Sequence, residues 1–146
     1  VRAYDQLSDH MRNVIQGLQG LHSGMATLER SIAGKSDARP IDRSEIKPPR
    51  AHPIVRSPVG TDQKAIFVNP HFTVGIKGLD AEESNWVLDH LYKIATQPEN
   101  VYRHQWRAGD VLVWDNRRTM HYAVRDYTED MPRKLHRCTA SGEIPV

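Results

Sequence analysis

Apolar residues recur at helical spacing at Met11, Val14, Ile15, Leu18 and Leu21, immediately behind Ser8. Serine is a good N-cap because its hydroxyl accepts a backbone N–H that the first turn leaves unpaired. The pattern predicts a helix ended by His22-Ser23-Gly24. A second helical period runs through Val87, Leu88, Leu91, Tyr92, Ile94 and Ala95. Asp80 stands at its start with Glu83 three residues on, the spacing of a capping box, and Gln97-Pro98-Glu99-Asn100 stops it. Elsewhere the period shortens. Residues 52–59 and 65–68 read as short strands with Gly60-Thr61-Asp62-Gln63-Lys64 as the turn between them. Residues 72–76 form another short strand or lead into the second helix. Residues 101–106 alternate, and Arg107-Ala108-Gly109-Asp110 turns into Val111-Leu112-Val113-Trp114. Both faces of that run are apolar, which predicts a strand buried in a two-layer or barrel structure. Residues 134–139 read as the last strand. Between 24 and 50 no apolar period survives, and Ala33-Gly34-Lys35-Ser36-Asp37-Ala38-Arg39-Pro40 is polar. That segment predicts a long mobile loop, a candidate lid. No internal repeat is visible.

Composition narrows this picture. The chain has 146 residues, 38% of them hydrophobic and 26% charged, enough for one domain with a core. A net charge of +2 and the lack of a basic run interleaved with aromatics argue against nucleic acid as a partner. No apolar stretch approaches the ~20 residues of a membrane span. Val1-Arg2-Ala3-Tyr4-Asp5 does not read as a signal peptide, and the one cysteine, Cys138, has no internal disulfide partner. A reducing cytoplasm is therefore the expected compartment, and Cys138 reads as a small core residue. The chain opens without an initiator Met, so a fragment of a longer protein is expected. Homo-oligomerisation is left open.

The stretch richest in chemistry is Asp115-Asn116-Arg117-Arg118-Thr119-Met120-His121, a polar turn and a histidine behind the 109–114 run. Arg133 and Arg137 follow. An imidazole can ligate a metal, and a guanidinium fork can grip a carboxylate or sulfonate. Non-haem iron sites commonly take two histidines and a carboxylate. Two of these often stand at i and i+2 on one strand, where they share a face. None of the eight histidines has Asp or Glu two residues on, and no HExxH pattern occurs. His121 is therefore the one plausible ligand of that kind, although a lone histidine is more often structural. On a strand, Arg133 and Arg137 would share a face roughly 13 Å apart. They would form either a solvated edge or a cavity wall that holds two anions. Trp106 and Trp114 read as core, and Phe72 as core or pocket.

Trp106-x-x-Gly109-Asp110-Val111-x-x-Trp114-Asp115-Asn116-Arg117-x-x-x-His121-Tyr122-Ala123-Val124, followed by Asp126-Tyr127 and Arg133-x-x-x-Arg137, resembles the C-terminal half of the taurine dioxygenase family. His52-Pro53-Ile54-Val55-Arg56, Phe67-Val68-Asn69 and Gly78-Leu79-Asp80-Ala81-Glu82-Glu83-Ser84 extend the resemblance over nearly the whole chain outside the 24–50 loop. It implies a mainly β fold with flanking helices (α+β), a double-stranded β-helix or jelly roll that is incomplete here. It implies Fe(II), with 2-oxoglutarate as cosubstrate and O2 as oxidant, acting on a small anionic substrate. By position, His121 matches the distal iron histidine and Arg133 the partner of the far 2-oxoglutarate carboxylate. Arg137 matches the arginine on the substrate's acidic group, and Phe72 a pocket aromatic. The family's His-x-Asp pair and a threonine on 2-oxoglutarate would lie upstream of Val1, so the chain alone is expected to be inactive. The competing readings are a non-catalytic jelly-roll module that binds anions and an inactive truncated fragment.

Overall fold

The computed structural model describes residues 1–25, 47–124, 126–128, 130, 131 and 134–142. The described residues form a mixed α/β arrangement. Helix α1 (Arg2–Asp5) and helix α2 (Asp9–Ile15) are followed by strand β1 (Gln19–His22). Strands β2 (Arg50–Pro53), β3 (Val55–Arg56), β4 (Ala65–Ile66) and β5 (Thr73–Ile76) lead to helix α3 (Ala81–Ala95) and a 3-10 turn at Pro98–Asn100.

Ser8 caps α2 as its position predicts, its Oγ accepting the Met11 N–H at 3.2 Å. The helix then stops at Ile15, six residues before the predicted end. Gln16 is already extended, and Gly17 takes φ +84°, a conformation that breaks a right-handed helix and suits glycine. The apolar residues beyond it do not continue a helical face. Leu21 sits in β1, which lies in the centre of a three-stranded antiparallel sheet of order β2-β1-β5. Gly20 faces His52 on one side and Ile76 on the other. Pairing on both edges satisfies the backbone here, and it overrides the helical period of the side chains. A bulge falls between Leu21 and His22 on the β5 side.

Strands β3 and β4 form a second, two-stranded antiparallel pair. Ile54 joins the two units, donating its N–H to the Leu18 carbonyl at 3.0 Å and accepting that of Phe67 on its own carbonyl at 2.6 Å. Helix α3 forms as predicted, and the capping box is complete. The Asp80 carboxylate accepts the Glu83 N–H at 2.8 Å, and the Glu83 carboxylate accepts the Asp80 N–H at 3.1 Å. Its buried face is Ser84, Val87, Leu88 and Leu91, while Tyr92, Ile94 and Ala95 are only half-buried. The Ser84 hydroxyl accepts the Ile76 N–H at 3.1 Å and so pins the start of α3 to β5. The core brings Leu7 and Ile15 together with Ile54, Val68, Ile76 and the α3 face.

The C-terminal third departs from expectation. Among the described residues, none of 101–106, 111–114 or 134–139 is a strand. Val111 and Val113 are 88% and 87% exposed rather than buried, with Leu112 and Trp114 half-buried. A strand exists only when a second strand takes its N–H and C=O groups, and no described strand lies beside this run. Cys138, read as core, is exposed for the same reason, and Trp106 is exposed as well. The jelly roll is therefore not formed by the described residues. Of the 24–50 loop, residues 26–46 lie outside the described residues, and Arg50 already belongs to β2. Among the described residues, no helix is long and apolar enough to cross a membrane.

Candidate functional site

The 115–119 turn is closed by hydrogen bonds that converge on Asp115. The Asp115 carbonyl accepts the N–H groups of Arg118 at 3.1 Å and Thr119 at 3.0 Å, and the Thr119 hydroxyl at 2.7 Å. Its carboxylate takes the Arg117 backbone N–H and Nε at 2.9 Å each on Oδ1. Oδ2 receives a second Arg117 nitrogen at 2.9 Å and Arg118 Nε at 3.2 Å. The hydrogen bonds from Arg117, helped by the charge of Arg118, hold the Asp115 carboxyl well below the usual carboxylate range, against the opposing effect of burial. Arg118 also reaches the Gln63 side chain at 2.9 Å, which ties this turn to the loop between β3 and β4.

His121 follows the turn. Its ring lies 5.0 Å from that of Trp114, tilted by 51°. The Trp114 indole N–H donates to Asn116 Oδ1 at 2.8 Å. His121 is exposed, and its ring nitrogens have no hydrogen-bond partner among the described residues. An imidazole with a free nitrogen is a donor that Fe(II) accepts, so the residue fits the role its position implies. The described residues contain no group of three His, Cys, Asp or Glu that could hold a metal ion.

The other site residues are placed unevenly. Phe72 is 44% exposed, in the turn before β5, where its carbonyl accepts the Ser23 N–H at 2.8 Å. Its neighbour His71 stacks on Tyr122 at 6.4 Å between ring centres. That contact brings the Phe72 turn to the residue next to His121, 50 positions away along the chain. Arg137 is exposed within the 134–142 segment, which has no regular secondary structure. Arg133 lies outside the described residues, so the shared strand face of the two arginines finds no support in the described chain.

Sequence reasoning missed a second cluster altogether. The His22 and His52 rings meet edge-on at 5.3 Å, and Phe67 stacks on His22 at 5.6 Å. The Arg56 guanidinium lies 4.8 Å above the Phe67 ring, and Arg56 is 3% exposed. The one available signal was the strand register, which sets His52 two positions from Arg50, the partner of His22, and so on the same face. His22 Nε2 is buried without a hydrogen-bond partner among the described residues. Burial first, and His52 second, push the His22 pKa down to about 4. The unfolded ring keeps a value near 6.5, so the folded state binds fewer protons between these limits. Stability should be full above about pH 6.5, fall as the pH drops, and level off below about pH 4. With the ring partly open to solvent, the loss should be about 1–2 kcal/mol. Urea unfolding at several pH values should show a shallower slope for His22→Phe than for the parent. Equal slopes would show that His22 carries no such linkage.

One exposed imidazole thus follows a clamped turn on a mixed α/β frame, with an aromatic turn beside it. The chain belongs to the taurine catabolism dioxygenase TauD, TfdA family, which it matches over residues 1–139. It is 34% identical over 140 residues to the alpha-ketoglutarate-dependent 2,4-dichlorophenoxyacetate dioxygenase of Burkholderia sp. (strain RASC), covering 96% of this chain and 46% of that protein. It is 36% identical over 149 residues to the alpha-ketoglutarate-dependent sulfate ester dioxygenase of Pseudomonas putida, covering 99% of this chain and 48% of that one. The crystal structure of AAD-2 in complex with Mn(II) and N-oxalylglycine superposes with a TM-score of 0.83 at 33% identity, covering 99% of this chain and 55% of that chain. The chain therefore spans about half the length of the relatives it matches.

Proposed function

We propose that the whole protein carrying this chain is an Fe(II)- and 2-oxoglutarate-dependent dioxygenase acting on a small anion: a sulfonate, a sulfate ester or a carboxylate. The observation that carries this reading is His121, a free imidazole set behind a clamped turn in the family's motif. Family membership and the named activities of the relatives support the cofactor and the substrate class. The metal and cosubstrate supply oxidising power: 2-oxoglutarate and O2 become succinate and CO2 as one oxygen atom enters a substrate C–H bond.

The residues of this chain bind and orient. His121 gives one neutral nitrogen to the metal. Arg133 pairs with the distal carboxylate of 2-oxoglutarate, and a planar guanidinium suits that bidentate contact. Arg137 holds the acidic group of the substrate, so that one C–H is presented to the oxidant and others are kept away. Phe72 forms an apolar wall of the pocket. The apolar run through Val111 and Val113 becomes a buried strand once the remainder of a jelly roll covers it.

The test is the whole protein supplied with Fe(II), 2-oxoglutarate and O2, and a panel of short sulfonates, sulfate esters and carboxylates beside their neutral amide or alcohol analogues. Succinate should form in step with loss of at least one anion and not with its neutral analogue. Equal turnover of neutral and anionic compounds, or succinate formation that no compound stimulates, would overturn the reading.

A further inference from the structure

We propose that Asp115 is the positioning residue of this site: by drawing Arg117 and Arg118 onto one carboxylate, it fixes the 115–119 turn and so the direction in which His121 presents its ring. The inference rests on the reading of His121 as an iron ligand.

Every step of the path is a direct contact. Asp115 accepts at both ends, taking two backbone N–H groups and a hydroxyl on its carbonyl and both arginines on its carboxylate. The turn is thereby closed from inside. Arg118 carries the restraint outward to Gln63, on the loop between β3 and β4, so the turn is anchored to the folded part of the chain. On the other side of Asp115 the indole of Trp114 is held by Asn116, and that indole is the surface on which the His121 ring rests. The side chains of the knot are roughly one-quarter to one-third exposed. Ion pairs so open to water add little stability. What two guanidinium groups on one carboxylate do supply is a fixed geometry, since each fork constrains the angle as well as the distance of its partner. A metal ligand held by neighbours in one orientation binds more tightly than one free to rotate, because less freedom is lost on coordination.

Asp115→Asn tests this in the whole protein. It preserves size but removes the charge and turns an amide NH2 towards a guanidinium. Anaerobic Fe(II) titration against a chromophoric chelator should show affinity lowered roughly tenfold. The visible spectrum of the Co(II)-loaded protein should change, while the thermal midpoint of the metal-free protein stays within a few degrees. Arg118→Gln, which cuts the tether to Gln63 and leaves Asp115 intact, should give a smaller loss in the same direction and serves if the first variant does not fold. Unchanged Fe(II) affinity and an unchanged Co(II) spectrum in both variants would overturn the inference. His121→Ala separates the two claims. If it loses iron and Asp115→Asn does not, the positioning role alone fails. If His121→Ala binds iron like the parent, the iron-ligand reading fails and the inference goes with it.

Discussion

His121→Ala should strip Fe(II) from the whole protein, with affinity lowered by more than about a hundredfold, beyond the ~10–100-fold that loss of an outer-shell partner costs. The expectation follows from the small size of the donor set. A facial site of two imidazoles and one carboxylate leaves its other positions to oxygen and substrates, so losing one ligand removes a third of the protein's hold on the metal. Among the described residues the ring neighbour of His121 is Trp114, which offers the metal no donor in its place. Alanine introduces no compensating donor. Because the ring is exposed and outside the core, the substitution should leave the fold intact. The measurement is metal content after dialysis together with a thermal melt. A variant that melts like the parent and still holds one iron per chain would remove His121 from the site.

Legibility of the chain divides along the range of the forces involved. The start of α3 could be read at once, because Asp80 and Glu83 close their box within four residues and depend on nothing distant. Ser8 was equally readable as a cap, but the end of α2 was not. Gly17 looks like one residue in an apolar period until β2 and β5 claim the backbone beyond it from both sides. The same blindness, inverted, affects residues 101–114. Their alternation is that of a strand, yet a strand is a pairwise object, and the described residues supply no partner. The site shows both cases. His121 and Phe72 stand out as residue types in a motif, whereas the His71–Tyr122 stack that joins their segments is a long-range contact with no local signature. Asp115 was visible only as part of a polar turn, and which groups its carboxylate gathers depends on rotamers that a sequence does not state. The burial of Arg56 and the half-burial of His22 were invisible, since arginine and histidine are usually partly exposed and their contacts with Phe67 and His52 are long-range.

The two arginines should separate functionally in the whole protein. Arg133→Ala should chiefly weaken 2-oxoglutarate, because it removes the guanidinium that pairs with the carboxylate farthest from the metal. Arg137→Ala should chiefly weaken the prime substrate, leaving 2-oxoglutarate bound and a slow succinate formation that is not coupled to hydroxylation. Removing one partner of a buried, hydrogen-bonded charge pair costs about 2–5 kcal/mol, so each apparent affinity should fall well over tenfold. Arg137 is exposed in the described chain, and an effect that large therefore requires the rest of the domain to enclose it. A loss of only two- or threefold would mean that Arg137 stays in contact with water when substrate binds. Lysine is a discriminating second replacement. It keeps the charge but not the planar fork, so Arg133→Lys should recover part of the 2-oxoglutarate affinity without restoring the parent value. Neither arginine variant should lose iron. The measurement is a pair of titrations on each variant, one per ligand, beside metal content. If both variants weaken the same ligand equally and spare the other, the two side chains share one anion, and the assignment of separate roles is wrong.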